Sequence, residues 1–117
     1  MTTTTAAKNT MLDSLTVNKI RLHSGATTNG TQNKVLLQDG SSEAEAACVY
    51  AAAANAERDL SNPVAITGLD ANSTVSHFSL WNNTTFVASR AFNTSEVYNG
   101  ANGTANINTA KFTLSDA

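Results

Sequence analysis

Apolar positions fall into short runs with a period of two, separated by clusters of Asn, Gly, Asp and Thr. Over residues 19–23, Ile20 and Leu22 alternate with Lys19, Arg21 and His23, which predicts a strand with one buried face. Residues 35–37 are a brief apolar run closed by the turn pair Asp39-Gly40. Residues 64–67 follow Pro63, which suits the start of a strand or an edge. Residues 74–81 alternate Phe78 and Leu80 with Ser79 until Asn82-Asn83 breaks the run. Residues 85–92 predict a further strand with Phe86, Ala88, Arg90 and Phe92 on one face. Asn99-Gly100 and Asn102-Gly103 mark a turn, and residues 105–114 close the chain with Phe112 and Leu114 sharing a face. Strands at this spacing predict an antiparallel sandwich or small barrel.

Two stretches depart from this period. Residues 1–7 are a Thr/Ala tract without periodicity, which reads as an arm. Met11, Leu12 and Leu15 are spaced for one apolar stripe on a short helix over residues 8–15, about two turns and marginal without something to pack on. Residues 42–60 are ambiguous. Ser42-Glu43-Ala44-Glu45 matches a capping box and the following alanines favour helix, whereas Cys48, Val49 and Tyr50 suit a strand and no apolar stripe of helical period runs through.

Composition narrows the function classes. Thr (17), Asn (14) and Ser (11) dominate, while charged residues are 14% of the 117-residue, 12.2 kDa chain, so it is polar without being charged. That length sets one compact domain, divided as an arm over residues 1–9 and a β domain over residues 10–117. A formal charge of −2 gives no electrostatic footprint for nucleic acid or an anionic membrane surface. One cysteine, Cys48, excludes an internal disulfide. The N-terminus lacks the basic and apolar regions of a secretory signal, which predicts synthesis in a cytoplasm and makes the Asn-x-Ser/Thr sequons a product of composition.

Candidate chemistry is sparse. His23 and His77 are the only imidazoles, too few for a His cluster, although adjacent strands could bring Cys48 to them; the expectation is structural roles and no metal. No Ser lies in a Gly-x-Ser-x-Gly turn, so no catalytic residue and no cofactor are assigned. Glu43, Glu45, Glu57 and Asp59 read as carboxylates solvating a loop. Trp81, Tyr50 and Tyr98 are the aromatics that could serve as sugar platforms. Trp81 reads either as half-buried with its N–H satisfied or as an anchor at a subunit interface. Arg90, on an otherwise apolar face, must reach the rim or pair with a carboxylate, between subunits in one reading.

The order Pro63-Val-Ala-Ile, Thr74-Val-Ser-His-Phe-Ser-Leu-Trp81 and Phe86-Val-Ala-Ser-Arg-Ala-Phe92 resembles a family of small tailed-bacteriophage virion proteins, in which a T-V-T-H-x-G-L-W-D segment precedes a turn and a strand of small residues. Met11-Leu-Asp-Ser-Leu15 and Ile20-Arg-Leu-His-Ser-Gly25 resemble that family's short helix and first strand, so the resemblance spans residues 10–116. Ser79 and Asn82 stand where the family has Gly and Asp. The resemblance implies an all-β, antiparallel, jelly-roll-like β-sandwich with a short N-terminal helix and an extended N-terminal arm. It also turns the ambiguous stretch into a strand over residues 47–51 and a loop over 52–57. The implied function is a non-enzymatic capsid decoration or cement protein on the virion surface, docked on the major capsid protein as a homo-oligomer such as a trimer, with Thr2, Thr3, Thr4, Thr5, Trp81 and Arg90 as interface candidates. Alternatives are a minor tail or tail-fibre-associated protein, and a glycan-binding module.

Overall fold

The computed structural model describes residues 3–98, 100 and 102–114; Thr2 of the candidate interface and Asn99 of the predicted turn lie outside the described residues. The fold is all-β with antiparallel sheets and one short N-terminal helix. β1 (Lys19–His23) lies between β2 (Glu45–Ala47) and β5 (Ser73–Asn82), and β6 (Thr85–Tyr98) completes a four-stranded sheet of order β2-β1-β5-β6. Two ribbons complete the architecture: β3 (Glu57–Arg58) with β8 (Phe112–Thr113), and β4 (Val64–Leu69) with β7 (Gly103–Ile107). Ile20, Leu22, Phe78 and Leu80 of the sheet meet Ile66, Leu69, Ala105, Ile107 and Phe112 of the ribbons in one buried core, joined by Leu12, Tyr50 and Leu60.

α1 spans Thr5–Asp13, earlier than the predicted 8–15, so residues 5–9 of the expected extended arm are helical. The cause is local: Thr4 is the N-cap, its Oγ1 accepting from the Ala7 N–H at 3.1 Å, and Ala6 and Ala7 favour the first turn. Of the predicted stripe only Leu12 is buried, while Met11 and Leu15 are exposed. Asn9 and Asp13 dock the helix, their Oδ1 atoms accepting from the N–H groups of Ala56 (2.9 Å) and Ala53 (2.7 Å).

Residues 42–60 contain no helix, and strand β2 lies two residues earlier than the predicted 47–51. The capping box fails because Ser42 is already committed upstream. Asp39 accepts from the N–H groups of Ser41 and Ser42 and from the Ser42 hydroxyl, so this residue ends a turn rather than beginning a helix. Those bonds, the Ser42 hydroxyl foremost, hold the Asp39 carboxyl down at about 2. Tyr50 is buried and donates its hydroxyl proton to the Ala110 carbonyl at 2.6 Å, while Asp59 Oδ1 accepts from the Ala110 N–H at 3.0 Å. Clamped from both sides, Ala110 interrupts the single strand predicted over 105–114 and separates β7 from β8.

β6 runs six residues beyond its predicted end and is the edge of the sheet. Its pairing with β5 breaks twice. Leu80 faces Ala88 but Trp81 faces Phe86, so Val87 is an extra residue and Phe86 moves to the face opposite its predicted partners. His77 faces Ala91 and Val75 faces Glu96, which leaves residues 92–95 arched opposite Ser76. The arch folds Phe92 onto Phe78, ring centroids 4.8 Å apart.

Candidate functional site

β5 is covered on both faces. Phe78 and Leu80 enter the main core, while Ser79 and Trp81 point to the opposite face and are buried there beneath residues 24–33. That segment is a polar-bonded loop. Thr27 Oγ1 accepts from the Gly30 N–H at 2.8 Å, Asn29 Oδ1 from the Thr31 N–H at 3.0 Å, and the Ser89 hydroxyl ties the Thr27 carbonyl to β6 at 2.6 Å. Gly30 has φ +79° and lies flat on the indole; a Cβ there would be 2.2 Å from Trp81 Cζ2 and 2.8 Å from Phe86 Cδ1.

Beneath the loop runs a chain of hydrogen bonds whose polarity follows from its ends. The Trp81 Nε1–H can only donate, and it does so to Ser79 Oγ at 2.8 Å. The Gln32 carbonyl can only accept, so the His23 Nδ1 at 2.8 Å carries a proton. With the imidazole neutral, His23 Nε2 is an acceptor and takes the Ser79 hydroxyl proton at 2.7 Å. Burial lowers the His23 pKa from the ordinary 6.5, partly opposed by the bond to Gln32 and by the Glu43 charge. Ser79 and His23 are both 0% exposed, so this Ser–His contact has no access for a substrate. It orders the outer layer of the sheet.

Arg21 closes that layer, its guanidinium 4.2 Å from the centroid of the Trp81 ring. Glu43 and Glu45 face it: Arg21 Nε is 3.0 Å from Glu43 Oε2 without the alignment of a hydrogen bond, so the contact is one of charge. Lys34 reaches Glu43 at 2.7 Å and Lys19 reaches Glu45 at 2.9 Å. Glu57 meets Lys111 at 3.5 Å, and Asp59 accepts from backbone N–H groups. The four carboxylates predicted to solvate a loop are therefore bonded parts of the fold.

The remaining candidates divide between inside and outside. Trp81 is buried within its own chain with its N–H bonded to Ser79, which matches the reading of a satisfied indole more closely than that of an exposed platform. Tyr50 is likewise inside, its phenol pushed far up by burial. Tyr98 is half-buried at the edge, its hydroxyl donating to Glu96 Oε2 at 2.7 Å and its pKa raised to about 12, chiefly by burial. Arg90 stands across from Phe78 but escapes to the rim, where its Nη1 donates to the Lys111 carbonyl at 3.2 Å. Thr4 and Thr5 are exposed and Thr3 is partly so. His23 and His77 are cross-strand partners, but Cys48 lies beyond the far end of β1, buried, with its thiol raised to about 11 by burial. Among the described residues no group of three or more His, Cys, Asp or Glu is placed to hold a metal ion.

Part of β6 faces outward. Residues 93–97 of its arch and distal end are exposed, and carry Asn93, Thr94, Ser95, Glu96 and Val97. Between this stretch and β7 lies a cleft of about 240 Å³, with Val75, Phe92, Tyr98 and Ile107 among its lining residues and Asn93, Asn106 and Asn108 among its polar ones. Comparison with family models, with curated proteins and with solved structures finds no match to this chain. The His23–Ser79–Trp81 chain was not legible in the sequence as a unit. The one available signal was a Ser and a His on strands with otherwise buried neighbours.

Proposed function

We propose that the chain is a non-enzymatic virion structural protein of a tailed bacteriophage, a capsid decoration subunit that docks on the shell of the major capsid protein. The observation that carries this reading is the division between the inside and the outside of the molecule. The imidazole of His23 and the side chains of Trp81 and Tyr50, the groups best suited to chemistry or to stacking on a ligand, are bonded within the fold. The exposed surface along β6 is an edge strand with neutral side chains over most of its length. An edge strand offers unpaired backbone N–H and C=O groups to a partner, and neutral side chains let such docking proceed with little dependence on salt. The resemblance at residues 74–92 supports the same reading. Trimeric association would multiply a modest contact through avidity.

The test is retention on shells stripped of the protein, followed by sedimentation. A charge placed on β6 at an exposed, neutral site and buried without a partner on docking should weaken retention. Thr94→Lys is therefore expected to bind at least about tenfold more weakly, equivalent to about 1.4 kcal/mol, with an unchanged thermal transition. Retention equal to that of the unsubstituted chain would move the docking face away from β6, and failure of the unsubstituted chain to bind shells would remove the reading.

A further inference from the structure

Two strands that line the same cleft each have an unpaired edge. Among the described residues β6 pairs with β5 alone and β7 with β4 alone, and no backbone hydrogen bond joins β6 to residues 103–111. The arch of residues 92–95, set opposite the single residue Ser76, gives up its pairing with β5 as well. Two contacts close the ends of the gap. At one, the Tyr98 ring lies against Gly103, where an added Cβ would be 3.2 Å from its Cδ1. At the other, Arg90 Nη1 donates to the Lys111 carbonyl at 3.2 Å.

Between these ends runs a slot. The cleft beside β7 has Phe92 and Ile107 as apolar lining, with Asn93, Thr94 and Asn106 along it. A second cavity, of about 310 Å³, shares Phe92, Asn93 and Thr109 with the first and reaches Arg90, so the two are continuous. Arg90 stands across from Phe78 and Tyr98 across from Ser73, so the slot covers five residue steps of β5. At about 3.4 Å per step that is about 17 Å, the length of an extended segment of about five or six residues.

The charges of β6 lie toward opposite ends of this length. They are Arg90, and Glu96 across from Val75. Neither is in an ion pair among the described residues; Glu96 accepts from the Tyr98 hydroxyl. Lys111 also lines the Arg90 end, but its ammonium is turned to Glu57 at 3.5 Å. A slot with one charge of each sign does not suit a polyanion. A polypeptide strand suits it, since its N–H and C=O groups repeat at the spacing of a strand edge and its alternate side chains divide between floor and solvent.

We propose, on the docking reading above, that this slot takes an extended polypeptide segment of the partner, which pairs its backbone with the free edges of β6 and β7, sets an apolar side chain on Phe92 and Ile107, and carries an acidic residue at the Arg90 end and a basic one at the Glu96 end. The probe is a blocked hexapeptide, acetyl-Asp-Val-Thr-Val-Thr-Lys-amide, titrated into the full chain and followed by amide NMR. Saturable shifts are expected in residues 88–98 and 103–111. Arg90→Glu should weaken binding at least about tenfold, and replacing the peptide's Asp by Lys should restore it. Pro in place of the second Val removes a backbone N–H and should weaken binding by a similar factor. Should Arg90→Glu fold poorly, Glu96→Lys with a peptide whose Lys is replaced by Asp gives the same cycle at the other end.

Absence of saturable shifts, equal binding by the Pro peptide, or no rescue by charge exchange would each overturn the proposal. So would shifts of the same residues by maltose at matched concentration, which would make the slot a sugar site, or a concentration-dependent dimer that protects the β6 amides and is not displaced by the peptide, which would make the occupant a second copy. No shell enters this test. A chain that binds the probe but is not retained on shells supports the slot and removes the phage reading, whereas one retained on shells that does not bind the probe overturns the slot alone.

Discussion

Replacing Phe78 with alanine is expected to lower the unfolding free energy by about 3–5 kcal/mol, the range for removing a buried aromatic ring and leaving a cavity. Phe78 is 2% exposed, sits at the middle of the central strand β5, and stacks against Phe92. Its loss therefore does more than empty a site. Phe92 anchors the arch of β6, and without its partner ring the arch loses the contact that holds it over the core. Total stability for a domain is about 5–15 kcal/mol, so the substitution removes a large part of what is available. Urea denaturation of both proteins measures this. A loss below about 1 kcal/mol would mean that the Phe78 site repacks and is not the centre on which the sheet and the arch are held.

The second large effect is expected at Gly30. Alanine there has two costs, and they separate experimentally. The left-handed backbone, φ +79°, disfavours any side chain by about 1 kcal/mol, and the added methyl would overlap Trp81 at 2.2 Å and Phe86 at 2.8 Å. Overpacking of this kind adds about 1–3 kcal/mol, giving about 2–4 kcal/mol in all. Gly40 supplies the comparison, with φ +75° and nothing within 4 Å of where a Cβ would sit, so Gly40→Ala carries the backbone cost alone. Gly30→Ala should be clearly the less stable of the two in thermal unfolding, with its Trp81 emission shifted toward that of an exposed indole. Equal losses at the two glycines, with unchanged emission, would show that the loop does not press on Trp81.

Much of the fold was legible because its strands obey simple rules. β1 matches its predicted residues, since Ile20 and Leu22 alternate with Lys19 and Arg21, which are only partly buried on the other side of the strand. β5 and the start of β4 were equally plain, bounded as they are by Pro63, Asn72 and Asn83. Three features escaped the pattern for physical reasons. The bulge at Val87 reverses the parity of Phe86, and nothing in a period-two pattern marks where an extra residue will fall. The distal part of β6 is Asn, Thr, Ser and Glu because it is an edge with little to bury, so it lacks the apolar alternation by which strands are recognised. Ser79 reads as a solvent-facing residue between Phe78 and Leu80, yet it is buried, because the loop over residues 24–33 covers the second face and Ser79 satisfies both an indole and an imidazole there.

The same hidden layer accounts for the change in the candidate site. Trp81 looked available because it ends a strand before Asn82-Asn83, but a half-exposed strand end is covered when a distant loop supplies a glycine flat enough to lie on the ring. Arg90 was placed on the right face. Its position near the open end of the sheet lets the guanidinium leave that face for the Lys111 carbonyl. The proposed interface therefore moves away from Trp81 and toward the exposed edge of β6 and the threonines preceding α1.

The proposal that this chain decorates a phage shell is tested by its copy number in purified tailed-phage virions, counted by quantitative mass spectrometry against the major capsid protein. Decoration predicts hundreds of copies per particle, in fixed ratio to the capsid protein. A handful of copies would place the chain in the tail, and its absence from the virion would contradict a structural role there altogether.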